Sequence, residues 1–494
     1  MKSILPTQQR HLTIATLAGV SIVVLLMLVG YWNIQEDDSY IFYSYAKNLV
    51  NSHGYVFNIG ERVNATTSPL YTLLLALTFM ILRFLPFVTI PLIGHLIGIT
   101  SLFFICIFLM QSFKSERASI FPFVLPLVFL VNPLLPQAIG METFLTMMLA
   151  LMCLCFYVNG RLLAASLACS FAVLARPDAL LLAVVLMSYH FMRYRRLPAV
   201  RMIFAFLLPI LIWVTFTLVY FGNPIPSTLW AKLAQTEAGL WGTGPVFFKG
   251  LLFWCFWRSG GIVGSGIIVA LLLGLVVLIL RYKQWSILRH PVFHLILLWN
   301  LVYFVVYGLI LKAPAYSWYY TPLALGITLI ITLPVEGLYR LLSNSNTAKN
   351  RILLPAIYLV LVLAGLWVPF ILSQAPLSRQ YKTYRQAAEW LNVNAEKGSS
   401  VGAGDIGIVR YFYEKGPVID AAGLVDPEIA EHVRQHDFYW YVHQHQPDYL
   451  MFNHPPRREL EAMTDEDWFQ KEYTLRTIFK SGRWGVGIYE RQGP

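Results

Sequence analysis

Glu36-Asp37-Asp38-Ser39-Tyr40 stands directly behind the first long apolar run of the chain, residues 12–32, and continues as Ile41-Phe42-Tyr43-Ser44-Tyr45-Ala46-Lys47-Asn48-Leu49. Acidic side chains are costly beside a bilayer, so three in succession at a membrane boundary point to a polar site; the plainer alternative is that they mark where the helix leaves the membrane. Aspartates in the first turn of a helix lie where the dipole favours the ionised form, the form a general base must have. Tyr40, Tyr43 and Tyr45 add an amphipathic face suited to a membrane interface.

The rest of the composition agrees with a membrane setting. Of 494 residues, 57% are hydrophobic and 13% charged, and the mean hydropathy is +0.59, which excludes an ordinary soluble domain and predicts a polytopic membrane protein. The formal charge of +11 does not imply a nucleic-acid partner. Its basic residues are scattered in short clusters between apolar runs, where they fix orientation in the bilayer. Cys106, Cys153, Cys155, Cys169 and Cys255 all lie in apolar segments without metal-ligand spacing and read as core fillers. The run 12–32 resembles a signal peptide, but its length and the lack of a small-residue cleavage site predict a retained anchor.

Runs long enough to span, or nearly so, fall at 12–32, 69–85, 88–110, 118–136, 143–158, 163–176, 178–193, 199–221, 261–281, 291–311, 320–340 and 352–373. If all twelve crossed, with the basic N-terminus inside, the clusters at Lys114 and Arg117, at Arg193, Arg195 and Arg196, and at Arg281, Lys283 and Arg289 would lie outside. Demoting 69–85 to a re-entrant or interfacial helix reverses this and satisfies the positive-inside rule; that run follows Pro69, is broken by Arg83 and Pro86, and is short. The expected fold class is therefore an all-α polytopic membrane protein of about eleven transmembrane helices, with residues 1–373 embedded, a first exterior loop at 33–87 and an exterior domain at 374–494. Polar signals then gather on one face, away from the cytoplasm and its nucleotides. An activated substrate must arrive there on a carrier.

After Pro376 the composition changes to that of a small α/β domain. Helices are predicted at Tyr384–Asn394 and Asp426–Gln435, with strands near Ser400–Ala403, Pro417–Asp420, Tyr449–Asn453, Tyr473–Phe479 and Val486–Tyr489. Gly402-Ala403-Gly404-Asp405-Ile406-Gly407 is a literal G-x-G-x-x-G behind a strand. Its exterior placement argues against a dinucleotide, and glycines serve a tight strand-to-helix turn equally well. His432, His436, His443 and His445 show no convincing ligand spacing and read as surface residues.

The order Asp-Asp-x-Tyr-Ile, aromatic, Tyr-Ala-x-Asn-Leu from Asp37, Gly54-Tyr55-Val56-Phe57-Asn58, Gly60-Glu61-Arg62-Val63 and Thr66-Thr67-Ser68-Pro69-Leu70 resembles the first exterior loop of GT-C integral-membrane glycosyltransferases. Within that superfamily it is most similar to the mycobacterial terminal arabinofuranosyltransferases and their bacterial relatives. Gly140-Met141-Glu142-Thr143, Ala175-Arg176-Pro177-Asp178, Pro226-Ser227-Thr228-Leu229-Trp230-Ala231-Lys232, Asp405-Ile406-Gly407 and Gly423-Leu424-Val425-Asp426-Pro427 resemble the group in the same order, so the likeness covers nearly the whole chain. The ordered set is fairly specific to the superfamily and much less so to any one sugar.

The resemblance implies a polyprenyl-phosphate sugar donor, an acceptor hydroxyl on a glycan, lipid or protein, and a site facing outward from a bacterial inner membrane. It makes Asp37 the favoured base, with Asp38 orienting it or binding the sugar; two adjacent carboxylates repel, which complicates a strict assignment. Tyr40 joins the same loop. Glu142 becomes a second acidic motif holding the acceptor, although capping of the next helix explains it as well. Arg176 and Asp178 flank a proline at a span boundary, where an internal ion pair is the default. Lys232, with Arg258 and Lys312 as weaker candidates, would offset the lipid phosphate. Tyr319 and Tyr320 would stack on a sugar, which an interfacial aromatic belt explains almost equally. No cofactor is firmly implied, and a divalent cation held by Asp37, Asp38 and Glu142 stays open. The rivals are a block oligosaccharide transferase, a lipid-linked sugar flippase or transporter, and a scaffold presenting the exterior domain. Transporters usually carry internal repeats and midplane charges, and neither is evident here.

Overall fold

The computed structural model describes residues 6–492 apart from 33–34, 115–118, 243–244, 255–260, 344–355, 358, 362, 366, 368–375 and 458. The chain condenses into two compact units, neither of them continuous in sequence: Met1–Trp32 with His95–Ile210 and Gly244–Ser373, and Asn33–Gly94 with Leu211–Thr243 and Gln374–Pro494.

Among the described residues, six helical segments are long and apolar enough to cross a bilayer: Gln9–Gly30, Ile90–Phe113, Val200–Phe221, Gly264–Arg281, Pro291–Ile310 and Ser317–Leu342. This is a multi-pass membrane protein. Other runs expected to cross fall on shorter helices, Phe121–Leu130, Thr143–Val158, Leu162–Ala175 and Leu180–Tyr194. At 1.5 Å per residue these reach roughly 15–24 Å, less than a hydrocarbon core of about 30 Å. Most of the run 352–373 lies outside the described residues. Pro69–Leu82, the run demoted on charge grounds, is a 14-residue helix. It leaves Leu73, Leu77, Met80 and Ile81 exposed, an apolar face with no water-compatible cover.

Two features of the first unit show how helices meet without water. A Cβ on Gly274 would lie 2.1 Å from the Ile330 carbonyl oxygen, so the helix Gly261–Arg281 packs on Ala324–Ser343 at a distance that only glycine allows. Glu336, wholly buried, accepts from the Ile120 and Phe121 N–H groups at 3.0 Å each and from Arg340 Nε at 2.5 Å. It satisfies the open N-terminus of Phe121–Leu130, which has no side-chain cap of its own.

In the second unit, a five-stranded sheet comprises β1 (Val401–Ala403), β2 (Val418–Asp420), β3 (Tyr449–His454), β4 (Tyr473–Ser481) and β5 (Trp484–Arg491), in the order β2-β1-β3-β5-β4. The first three are parallel and the last two add antiparallel, with a bulge between Leu475 and Thr477. Leu450 and Phe452 of β3 pack with Ile429, Val433, Tyr441 and Phe469, while Tyr384 of the helix Pro376–Asn394 stacks on Trp484 at 5.9 Å. Strand β3 is therefore apolar at consecutive positions, the pattern of a strand covered on both faces.

Candidate active site

In the second unit the helix Asp37–Val50 carries both aspartates in its first turn. Asp37 is partly buried. Its Oδ2 accepts from the Gly407 N–H at 2.9 Å and its Oδ1 from the Ile408 N–H at 2.8 Å, so each oxygen is held by the turn that follows β1. Burial, and after it the Asp405 carboxylate, push Asp37 up to about 8, against the two N–H groups, which pull it down. Gly407 has to be glycine: a Cβ there would meet the Asp37 carbonyl oxygen at 2.0 Å. The G-x-G-x-x-G segment is thus the place where the C-terminal sheet approaches the acidic helix. Gly407→Ala should displace Asp37 and with it the acidic pair and, since a misplacement of about 1 Å costs roughly 10² in rate, lower turnover by about that factor with the aspartate intact. Turnover within twofold of wild type would contradict this.

Asp38, the next residue, is also partly buried. Its side chain is 24% exposed, and Oδ2 lies 3.5 Å from Lys232 Nζ. Lys232 is on the helix Ser227–Glu237, which buries Ser227, Ala231, Ala234 and Gln235 and leaves Leu229 and Trp230 exposed. Ser227 Oγ donates to the Leu424 carbonyl and Gln235 Nε2 to the Ala422 carbonyl, both at 2.8 Å. The Gly423-to-Pro427 segment is therefore the seat on which the lysine-bearing helix rests. Trp241 donates to Gln235 Oε1 at 3.2 Å and lies 5.4 Å beneath the Arg457 guanidinium, packed against the C-terminal domain.

That seat is itself held by Asp420. Its carboxylate is buried and accepts from the Ala422 and Val425 N–H groups at 2.9 Å each. Burial pushes it up to about 7, against those N–H groups. An acid raised in the folded chain keeps its proton there after the unfolded chain has lost it near pH 4, so its contribution is full below that pH and is lost as pH rises to about 7. Asp420→Asn should flatten that loss in a pH series of thermal midpoints, and an unchanged slope would contradict it.

Sequence reading missed the partners of Asp405. That carboxylate accepts from Gln380 Nε2 at 3.1 Å, Tyr384 Oη at 2.9 Å and Arg457 Nη2 at 2.5 Å. Asp405 and Arg457 follow β1 and β3 and Asp420 ends β2, all at the carboxyl ends of the parallel strands, where open α/β sheets collect their ligand-handling groups. That rule was the available signal. Tyr40 is fully buried among the rings of Tyr43, Tyr381, Tyr411 and Phe412, and its hydroxyl bonds Gln35 Oε1.

The first unit holds a second constellation. Arg176 Nη2 pairs with Asp178 Oδ2 at 2.7 Å, Nη1 lies 3.4 Å from Glu142 Oε1 and donates to Thr143 Oγ1 at 2.8 Å, and the Tyr307 hydroxyl donates to Asp178 Oδ2 at 2.7 Å. The ion pair taken as the default for Arg176 and Asp178 is present, and Glu142 joins it. Tyr319 lies at the edge of this group, its ring 6.0 Å from the guanidinium. Tyr320 is fully buried, stacked on Phe247 at 4.8 Å with its hydroxyl on the Phe247 carbonyl, which makes it a packing residue. Lys312 is exposed, at a φ of 46°. Arg258 lies outside the described residues. Among the described residues, no three His, Cys, Asp or Glu side chains are gathered closely enough to hold a metal ion.

The fold these elements build is found in solved structures of low sequence identity. It is similar to ArnT from Cupriavidus metallidurans in the apo state, with a TM-score of 0.60 and 11% identity over 95% of this chain and 97% of that one. It is also similar to the apo oligosaccharyltransferase of Archaeoglobus fulgidus, with a TM-score of 0.52 and 12% identity over 97% of this chain and 74% of that one. The same archaeal protein tethered to an acceptor peptide containing the NVT sequon gives 0.52 at 13% identity over the same shares. Residues 374–491 match a domain of unknown function, DUF8728. No curated protein matches the chain in sequence. At these identities the likeness establishes the fold, and the chemistry has to be argued from side chains.

Proposed function

We propose that this protein is an inverting glycosyltransferase that moves one sugar from a polyprenyl-phosphate donor to a hydroxyl of a cell-envelope glycan, lipid or protein. The observation that carries this reading is the aspartate pair beside a lysine, Asp38 Oδ2 to Lys232 Nζ at 3.5 Å, on the scaffold just described. In the proposed step the acceptor oxygen attacks the anomeric carbon and its proton passes to a carboxylate. The bond from that carbon to the phosphate oxygen breaks, and the lipid phosphate leaves with the electron pair. Lys232 offsets the charge that develops on it. Asp37 and Asp38 act as a pair: Asp38, whose carboxylate faces Lys232, takes the proton, and Asp37, with both oxygens held by backbone N–H groups, orients it.

Arabinofuranose is the favoured sugar on the sequence resemblance. Purified protein in nanodiscs, offered arabinofuranosyl and hexosyl polyprenyl phosphates with an envelope extract as acceptor, should release lipid phosphate chiefly from the first. Equal or greater release from a hexosyl donor would overturn that preference.

The proposed setting is the bacterial inner membrane, with the N-terminus cytoplasmic and residues 374–494 outside. Reporter fusions at Lys114, Arg195 and Lys283 should report cytoplasm, and fusions at Gly60, Gly239 and Gly398 the exterior. Cytoplasmic Gly398 would remove the proposed setting of the site.

A further inference from the structure

A second polar cavity in the unit that holds the aspartates has no part in the proposed transfer step. It measures about 260 Å³ and is lined by Ser44, Lys47, Asn48, His53, Arg410 and Glu414, among others. Ser44 and Asn48 lie seven and eleven residues beyond Asp37 on the same helix, which places them on the helix face that carries Asp37, roughly 10–16 Å along the axis.

Its wall is cationic and incompletely satisfied. Arg410 is 8% exposed, and its guanidinium donates only to neutral carbonyls: Phe57 at 3.1 Å, Tyr413 at 2.9 Å and Gly416 at 3.5 Å. Among the described residues no carboxylate lies within ion-pair distance of it. Its charge is therefore buried with no carboxylate in direct contact. Burial pulls the guanidinium toward its neutral form, against the Glu61 and Glu414 carboxylates, which favour its charge. Ser44 is 2% exposed, and its hydroxyl has no hydrogen-bond partner. Lys47 reaches the Tyr411 carbonyl at 3.0 Å and Glu414 at 2.7 Å, the latter at a surface carboxylate that is 68% exposed. The Nδ2 group of Asn48 is spent on the Val56 and Phe57 carbonyls at 2.9 and 2.8 Å. Two cations and an unused hydroxyl in one cavity wall, beside Glu414, fit a negatively charged group.

We infer that this cavity binds an anionic sugar substituent, a carboxylate or a phosphate, with Arg410 and Lys47 as its cations and the Ser44 hydroxyl as a donor. That the anion belongs to the acceptor glycan rests on the transferase reading; that the cavity binds an anion does not. On that reading the preferred acceptor carries its charged group one to a few sugar units from the hydroxyl that is glycosylated, held along the same helix.

Binding is measured on full-length protein in nanodiscs, by thermal shift and by amide exchange across residues 44–48 and 410–414. Glucuronate, glucose 6-phosphate and glucose are the probes, each compared with sodium chloride at matched ionic strength. Glucuronate, glucose 6-phosphate or both should raise the midpoint in a saturable way, and glucose should not. The anion that does so identifies the carboxylate or the phosphate source. Ser44→Leu loses no hydrogen bond and fills the cavity, so it should abolish the shift. Lys47→Gln, at a partly exposed side chain, should weaken binding about tenfold with an unchanged unliganded midpoint. An anion effect no larger than that of sodium chloride, or one that persists undiminished in both variants, overturns the inference. Anion binding without any sugar transfer would sink the transferase reading and leave this one standing.

Discussion

Asp38→Asn should abolish sugar transfer while the protein still inserts and folds. Asparagine keeps the size and shape of the side chain but takes no proton near neutral pH, and general-base catalysis contributes on the order of 10² to 10⁴ in rate. Because the Asp38 side chain is partly exposed and touches Lys232 at the long distance of 3.5 Å, its replacement disturbs little packing. Asp37→Asn should also lose transfer, but with a further sign: the amide replaces one acceptor oxygen with a donor that faces the Gly407 or Ile408 N–H, so protection of those amides from exchange should fall. Full activity of a well-expressed Asp38→Asn protein, with loss confined to Asp37→Asn, would return the base to Asp37. Activity in the double variant would remove the acidic helix from the chemistry altogether. Lys232→Ala belongs to the same test and should weaken donor binding without a folding defect.

Arg176→Leu should be among the most destabilising single changes in the chain. The guanidinium is 7% exposed and sits between Asp178 at 2.7 Å and Glu142 at 3.4 Å, themselves 12% and 5% exposed. Its removal takes away the cation between Asp178 and Glu142, a loss of about 3–5 kcal/mol for a buried pair broken on one side. Thermal unfolding of solubilised protein measures it. A combined Arg176→Leu and Asp178→Asn variant should recover part of the loss, since one uncompensated charge is then gone. A drop below about 1 kcal/mol, the range of exposed ion pairs, would show the cluster to be solvated in the working protein.

The contrast between these two clusters shows what a sequence can disclose. Arg176 and Asp178 are two residues apart, and Glu142 begins the neighbouring apolar helix, so local spacing and the rule that membrane charges pair were enough to foresee the ion pair. Asp38 and Lys232 are 194 positions apart, and Asp37 and Gly407 370. Only the ordered resemblance linked those stretches, and it gave no geometry. The five strands of the tail were legible because β-branched and aromatic runs are bounded there by Gly, Pro and Asp. Val401–Ala403 and Val418–Asp420 differ from their expected limits by one residue at the start. Asp405 was legible as part of a motif, but its bond to Arg457 was not, because nothing in Pro455-Pro456-Arg457 shows which strand end it will face. Tyr320 went astray for a general reason: an aromatic cluster beside a span looks the same in sequence whether its rings meet a sugar, lipid or Phe247. Within the expected runs 118–136 and 163–176 the helices are Phe121–Leu130 and Leu162–Ala175, shorter because apolar length is blind to the turns at helix ends.

Single-sugar transfer is tested most directly by high-resolution mass spectrometry of glycans, lipids and surface proteins from cells with the gene, without it, and carrying Asp38→Asn. The expected result is one class of acceptor that is lighter by the mass of a single sugar residue in the deletion strain, equally so in Asp38→Asn, and restored by the wild-type gene. Acceptors lighter by a whole oligosaccharide, or identical mass profiles in all three strains, would contradict it.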